Sequence, residues 1–190
     1  MAKLILALGG AKSGKSAFAE NLARNKKSGS GYARVAYLAT AEIRDNEMAE
    51  RVLRHKERRP KEWQTIEAHF ELEDAIVNLD KNIEFLIIDC ITIYITNLLL
   101  IDNPEIDDKY FTNIAEKKNK IFKEIEMLCD KCKLISADVV MVSNEVGFSV
   151  VPENKLARVF TDIAGTVNQI IAQNADEVYL IVAGIAQKIK

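Results

Sequence analysis

Excess charge of one sign is the first thing this sequence lacks. Lysine and arginine number 26 against 28 aspartate and glutamate, a net charge of −2, so no global basic field argues for a nucleic-acid partner. Cysteine is scarce: Cys90, Cys129 and Cys132 are an odd number and offer no disulfide framework. Cys129 and Cys132 have the C-x-x-C spacing, but no second ligand pair accompanies them, so reduced thiols and a cytoplasmic setting are expected rather than a metal or redox centre. Long hydrophobic runs are missing too. The first, Leu4 to Leu8, meets Gly9-Gly10 before it could form a signal peptide. The longest, Ile91 to Ile101, is interrupted by Thr92, Thr96 and Asn97 and is too short for a bilayer. What remains is an ordinary globular composition, 48% hydrophobic and 28% charged over 190 residues. That length suits one domain with a sizeable core, and no repeat or linker divides residues 1–190.

The most informative stretch is Gly9-Gly10-Ala11-Lys12-Ser13-Gly14-Lys15-Ser16. It follows an apolar strand-like run and precedes a helix-compatible segment, Ala17 to Ala23. That is the setting in which G-x-x-x-x-G-K-[ST] forms a phosphate-binding loop. Gly9 and Gly14 let the backbone turn so that successive N–H groups point at phosphate oxygens. The helix beginning near Lys15 adds its positive end. Lys15 can reach β- and γ-phosphates as a catalytic cation, and the Ser16 hydroxyl can ligate Mg²⁺.

Strand-like and helical patterns then alternate. The first helix is expected to reach about residue 26, and 27–31 reads as a flexible connection. Strands are expected over 34–39, 63–68, 85–89, 138–143 and 177–183, with a short terminal one over 187–190 after a turn at Gly184. Helices are expected over 42–58, 70–80, 92–101, 110–132 and 153–174, with Pro60 closing the first of these and Pro152 just before the last. The pattern predicts an α/β protein with a doubly wound, mostly parallel sheet and flanking helices, of the RecA-like P-loop NTPase type. In such sheets ligands sit outside the carboxyl ends of the strands. That gathers Thr40, Asp89 and Asn144-Glu145 beside the phosphate loop. Asp89 ends the apolar run Phe85-Leu86-Ile87-Ile88 and suits the carboxylate that holds Mg²⁺ directly or through water.

The segment from Arg51 to Pro60 is open to two readings. On a helix, Arg51, His55 and Arg58 or Arg59 share a face, where an imidazole nucleophile in a phosphate-attracting field could carry a nucleotidyl group. The simpler reading is a solvated basic face with one histidine on it.

Taken together, the motifs resemble the bifunctional adenosylcobinamide kinase/adenosylcobinamide-phosphate guanylyltransferase family of cobalamin biosynthesis. The resemblance is carried by Leu8 to Ser16; by Leu38 to Ile43 with Asp45, Glu47-Met48 and Arg51; and by His55-Lys56 with Arg59-Pro60 and Trp63. It continues through Cys90-Ile91-Thr92 with Thr96 to Leu99, Asn144 to Gly147, Val151 to Asn154 with Leu156 to Arg158, and Asp162 to Gly165. It implies phosphorylation of adenosylcobinamide by ATP or GTP. GMP is then transferred from GTP to adenosylcobinamide phosphate, giving adenosylcobinamide-GDP and pyrophosphate. It implies a guanylylated histidine at His55, nucleotide contacts at Gly9 to Ser16, Thr40, Ala41, Glu42, Lys56, Glu57, Arg58, Arg59, Glu67 and Asp89, and a homotrimer. His69 matches no motif of the family and is expected at the surface. The chain departs from the family in Lys12 for a usual Arg, Asp89 for a common Glu, Arg58 for a usual Gly and Ser149 for a frequent Gly. Two other classes fit the phosphate loop alone: a kinase of another small metabolite, and a GTPase switch or RecA-like motor. Against the latter, Asp162 to Gly165 fits D-x-x-G only inside a predicted helix, and no N-K-x-D occurs.

Overall fold

The computed structural model describes residues 2–29, 31–43, 46–101 and 106–190, without the side chains of Glu47, Met48, Arg51, Arg58 and Asp108. In chain order its strands are β1 (Leu4–Gly9), β2 (Lys27–Ser28), β3 (Gly31–Tyr32), β4 (Val35–Ala39), β5 (Gln64–Glu67), β6 (Phe85–Asp89), β7 (Asp138–Asn144), β8 (Glu177–Val182) and β9 (Ile185–Lys188). Its helices are α1 (Lys15–Asn25), α2 (Asn46–Arg58), α3 (Leu72–Val77), α4 (Ile91–Leu100), α5 (Asp108–Thr112), α6 (Ile114–Leu134) and α7 (Lys155–Asn174).

A seven-stranded sheet has the order β5-β4-β6-β7-β1-β8-β9. All its pairings are parallel except that of β8 with β9. The apolar run of β1 is continuous because both its faces are covered. Leu4, Leu6 and Leu8 point to one side, where they pack with residues of α3, α4, α6 and α7. Ile5 and Ala7 point to the other, against Ala19 and Ala23 of α1. Side chains alternate across a strand, so one uninterrupted run supplies two cores. Leu86, Ile87 and Ile88 of β6 are likewise fully buried, each contributing roughly 1.5–3 kcal/mol by leaving water. This is the doubly wound, mostly parallel arrangement with flanking helices expected of a P-loop protein. No helix among the described residues is long and apolar enough to cross a membrane.

The structure departs locally from the expected elements. The connection expected over 27–31 contains a short antiparallel ladder, β2 with β3, around Ser30, which lies outside the described residues. It is tied down at its start by Lys26 Nζ, 2.5 Å from Asp138 Oδ2, and by Ser28 donating to Glu84. The helix expected from 42 begins at Asn46; Arg44 and Asp45 lie outside the described residues. The helix expected over 110–132 is broken at Asn113 into α5 and α6. Asp107 caps α5, its side chain accepting from the Tyr110 amide at 3.0 Å, and the Tyr110 hydroxyl reaches the Leu99 carbonyl at 3.0 Å. That bond ties α5 to the end of α4, and Asn113, at φ −101° and ψ 10°, leaves the helical conformation between α5 and α6. The helix expected from 153 starts at Lys155, with Asn154 capping it by accepting from the Ala157 amide.

Candidate active site

The phosphate loop leaves β1 between its neighbours β7 and β8. Gly14 has φ 104°, left-handed backbone that an L side chain adopts only under strain. A Cβ added to Gly9 would lie 2.3 Å from the Ile181 carbonyl oxygen. Both glycines are therefore demanded by the turn. The Gly184 amide donates to the Ser13 carbonyl at 2.8 Å, so the β8–β9 turn braces the loop from outside. Lys15 is buried, and its amine donates to the Gly10 carbonyl at 2.6 Å. Burial lowers its pKa, opposed by Cys90 and the Asp89 carboxylate nearby. Ser13 Oγ is buried with no hydrogen-bond partner among the described residues. Gly10, Ala11 and Lys12 face solvent, and Ser16 is half-buried at the start of α1.

Asp89 lies half-buried at the carboxyl end of β6, opposite Ala39 of β4. Its Oδ2 accepts a hydrogen bond from the Tyr37 hydroxyl. Tyr37 is 1% exposed, and burial raises its pKa well above the usual tyrosine value, with the Asp89 charge adding to the effect. The adjoining Cys90 thiol is pushed up to about 12 by burial and then by Asp89, so it is no nucleophile. Cys129 and Cys132 are buried and free on α6.

Thr40 is wholly buried. Its hydroxyl donates to the Cys90 carbonyl and accepts from the Cys90 amide, both at 2.8 Å. It fastens the end of β4 to the end of β6, leaving Ala41 and Glu42, both half-buried, as the members of that turn open to a ligand. His69 is not the plain surface residue expected. It is half-buried, with Nδ1 3.3 Å from the Thr40 carbonyl, and Asn97 Nδ2 reaches both the Thr40 and the His69 carbonyls. On the other side, Thr92 Oγ1 accepts from the Asn144 amide at 2.6 Å, and Asn168 Nδ2 donates to the Asn144 carbonyl at 3.1 Å. The Glu145 amide donates to the Gly9 carbonyl. These buried polar groups hold Asn144-Glu145 beside the start of the phosphate loop.

His55 is half-buried on α2. Of the arginines expected to share its face, the side chains of Arg51 and Arg58 lie outside the described residues, and that of Arg59 is described. What joins this segment to the sheet is its carboxyl end. Lys56 pairs with Glu67 of β5 and holds that carboxyl below its usual range. The Arg59 guanidinium carbon stands 3.4 Å above the Tyr37 ring centroid. Glu57 is exposed. Sequence reasoning missed Tyr37 and Gly184. The only signal for the first was a single polar-tipped aromatic within the strand Val35-Ala36-Tyr37-Leu38-Ala39; for the second there was none beyond an expected turn.

The arrangement is a phosphate cradle with a buried lysine and a carboxylate at its side, flanked by a cationic segment with one histidine. Among the described residues no group of three or more His, Cys, Asp or Glu could hold a metal by itself. A single carboxylate with a serine hydroxyl could hold an ion only jointly with bound phosphates.

Comparison with known proteins covers the whole of this site. The family model for cobinamide kinase/cobinamide phosphate guanyltransferase matches residues 5–189. The chain is similar to the bifunctional adenosylcobalamin biosynthesis protein CobU of Salmonella typhimurium, 43% identical over 187 residues, covering 98% of this chain and 99% of that one. The protein of the same name from Escherichia coli is 42% identical, with 98% and 99% covered. CobP of Pseudomonas aeruginosa, also named a bifunctional adenosylcobalamin biosynthesis protein, is 37% identical, with 97% and 96% covered. Among solved structures, the flagellar accessory protein FlaH of Methanocaldococcus jannaschii aligns with a TM-score of 0.49 at 15% identity, over 99% of this chain and 78% of that one.

Proposed function

The chain belongs to the cobinamide kinase/cobinamide phosphate guanyltransferase family, and from that premise we propose how its residues divide the two reactions. It is a transferase that phosphorylates cobinamide and transfers a guanylyl group to cobinamide phosphate. In the kinase reaction the backbone amides of Gly9 to Ser16 cradle the phosphates of ATP or GTP. Lys15 exchanges the Gly10 carbonyl for β- and γ-phosphate oxygens. The aminopropanol hydroxyl of adenosylcobinamide attacks the γ-phosphorus in line; the bond to the β–γ bridging oxygen breaks, and the nucleoside diphosphate leaves. The Ser16 hydroxyl and the Asp89 carboxylate would hold Mg²⁺, both being hard oxygen donors. The ion would neutralise charge on the β- and γ-phosphates.

In the transfer reaction His55 is the nucleophile. Its imidazole attacks the α-phosphorus of GTP, and the bond to pyrophosphate breaks. A phosphate oxygen of adenosylcobinamide phosphate then attacks the resulting phosphoramidate, releasing His55 and forming adenosylcobinamide-GDP. Glu42, Lys56, Glu57, Arg58, Arg59 and Glu67 surround the nucleotide in this reading, with Thr40 holding the turn beneath it. The chain acts as one catalytic unit in the cytoplasm, a setting that suits three free, buried thiols. It assembles as a homotrimer, and exposed Phe148, Val150, Val151 and Ile185 are side chains such contacts would cover.

The observation that carries the kinase half is the buried Lys15 amine, held ready on a backbone carbonyl beside Asp89. Labelling tests the rest. Wild-type protein with α-labelled GTP should retain acid-labile, base-stable label and release pyrophosphate, whereas γ-label should not stay on the protein. His55→Ala should lose the label and guanylyl transfer while kinase activity survives. His69→Ala should still label. Full α-label in His55→Ala places the nucleophile elsewhere, and a wild type that phosphorylates but never labels is a plain kinase.

A further inference from the structure

One buried side chain touches both halves of this site and has so far been given no part in either. Tyr37 lies in the middle of β4, registered opposite Ile87 of β6, and its hydroxyl reaches along the sheet to Asp89. On its ring face lies the Arg59 guanidinium. Arg59 Nε and Nη1 are buried and find no hydrogen-bond partner among the described residues. Two unpaired buried donors are costly to keep. Such a group is tolerated where an anion is to be received, because its fork matches phosphate oxygens.

An arginine with free donors and a carboxylate with free lone pairs close together would ordinarily form a salt bridge and neutralise each other. The phenol meets each of them with a different part, its face lying under the guanidinium and its hydroxyl reaching the carboxylate. Its face carries the cation by a contact that uses none of the guanidinium donors, and its hydroxyl donates to one carboxylate oxygen, Oδ2, which orients the Asp89 side chain. We propose that Tyr37 is a positioning residue that engages Asp89 and Arg59 separately, its hydroxyl presenting the carboxylate toward the metal site and its ring presenting the guanidinium toward nucleotide phosphate. The proposal rests on the roles given to Asp89 and Arg59 above.

The two parts of the side chain separate by substitution. Tyr37→Phe keeps the ring and loses the hydroxyl. Mn²⁺ binding to the protein loaded with α,β-methylene-GTP, read by electron paramagnetic resonance, should weaken about ten- to a hundredfold, the worth of one hydrogen bond to a charged group. Label on His55 from α-labelled GTP should stay at the wild-type level once metal is saturating. Arg59→Ala should do the reverse, leaving Mn²⁺ affinity unchanged and lowering the rate of labelling. Tyr37→Leu should lose on both readouts. Because that variant can fail to fold, the Phe and Arg59 variants carry the test on their own, with melting temperatures as the control. Wild-type Mn²⁺ affinity in Tyr37→Phe overturns the role of the hydroxyl. Wild-type labelling in Arg59→Ala overturns the role of the ring. Mn²⁺ affinity left intact by Asp89→Asn shows instead that the premise about Asp89 is wrong, and the proposal goes with it.

Discussion

Replacing Lys15 with methionine should damage catalysis and leave the fold as stable as before, or more so. The stem of this lysine is packed and its amine is buried, so the native state bears the cost of holding a charge away from water; the lowered pKa records that cost. In the resting structure the amine recovers only the bond to Gly10 and attraction to its neighbours. Methionine fills nearly the same volume without the charge. The expected change in stability is between zero and about +1 kcal/mol, a rise in melting temperature of up to about 4 °C for a chain of this size. The reaction loses a charged donor aimed at oxygens on which negative charge builds. Such a donor is worth about 10²- to 10³-fold in turnover. The assay pairs thermal unfolding without ligand with kinase rates under saturating nucleotide. A melting temperature that drops by several degrees would make the lost activity structural and refute the reasoning. So would undiminished turnover.

Asp89→Asn should slow both reactions and raise the Mg²⁺ concentration each requires, whereas Asp89→Glu should keep much of the activity; metal titrations of both rates decide. Glu177, which accepts from Lys3, Tyr179 and Lys188, has its pKa held down at about 2, with Lys3 the largest cause. The stability it adds is therefore present above its ordinary value of 4.5 and disappears as pH falls toward about 2. Discounted for the water around its lysine partners, that is about 1 kcal/mol. Glu177→Gln should thus melt a few degrees lower at pH 7 and match wild type near the acid end. Gly9→Ala forces a Cβ against the Ile181 carbonyl and should lower the melting temperature by about 4 °C or more, with nucleotide binding lost. Gly10→Ala, where nothing lies within 4 Å of the added carbon, should melt like wild type.

The sheet was legible because most of its strands are buried on both faces, which turns them into unbroken apolar words such as Phe85-Leu86-Ile87-Ile88. The phosphate loop was legible because its chemistry is local, from Gly9 to Ser16. Details that depend on distant partners were not. The break at Asn113 sits beside a tyrosine hydroxyl that reaches another helix, and no periodicity records that contact. The strand-end rule put Thr40 at the ligand edge, but only the structure shows its hydroxyl engaged with Cys90. His69 looked solvated because the Thr40 and Asn97 groups that meet it lie far away in the chain. Tyr37 read as one more aromatic in a strand until Asp89 and Arg59 were placed around it.

The position of β1 bears on how the protein is made. It leaves the ribosome well before β7 and β8, its two neighbours in the sheet. At synthesis rates of ~5–20 residues per second, its apolar run waits on the order of ten seconds or more without a mate. Through that interval it is an unpaired hydrophobic strand, the kind of segment that chaperones shield and aggregates recruit. The phosphate loop is incomplete through the same interval, because Gly184 reaches Ser13 only once the β8–β9 hairpin exists. The brace on the phosphate loop therefore waits for that hairpin.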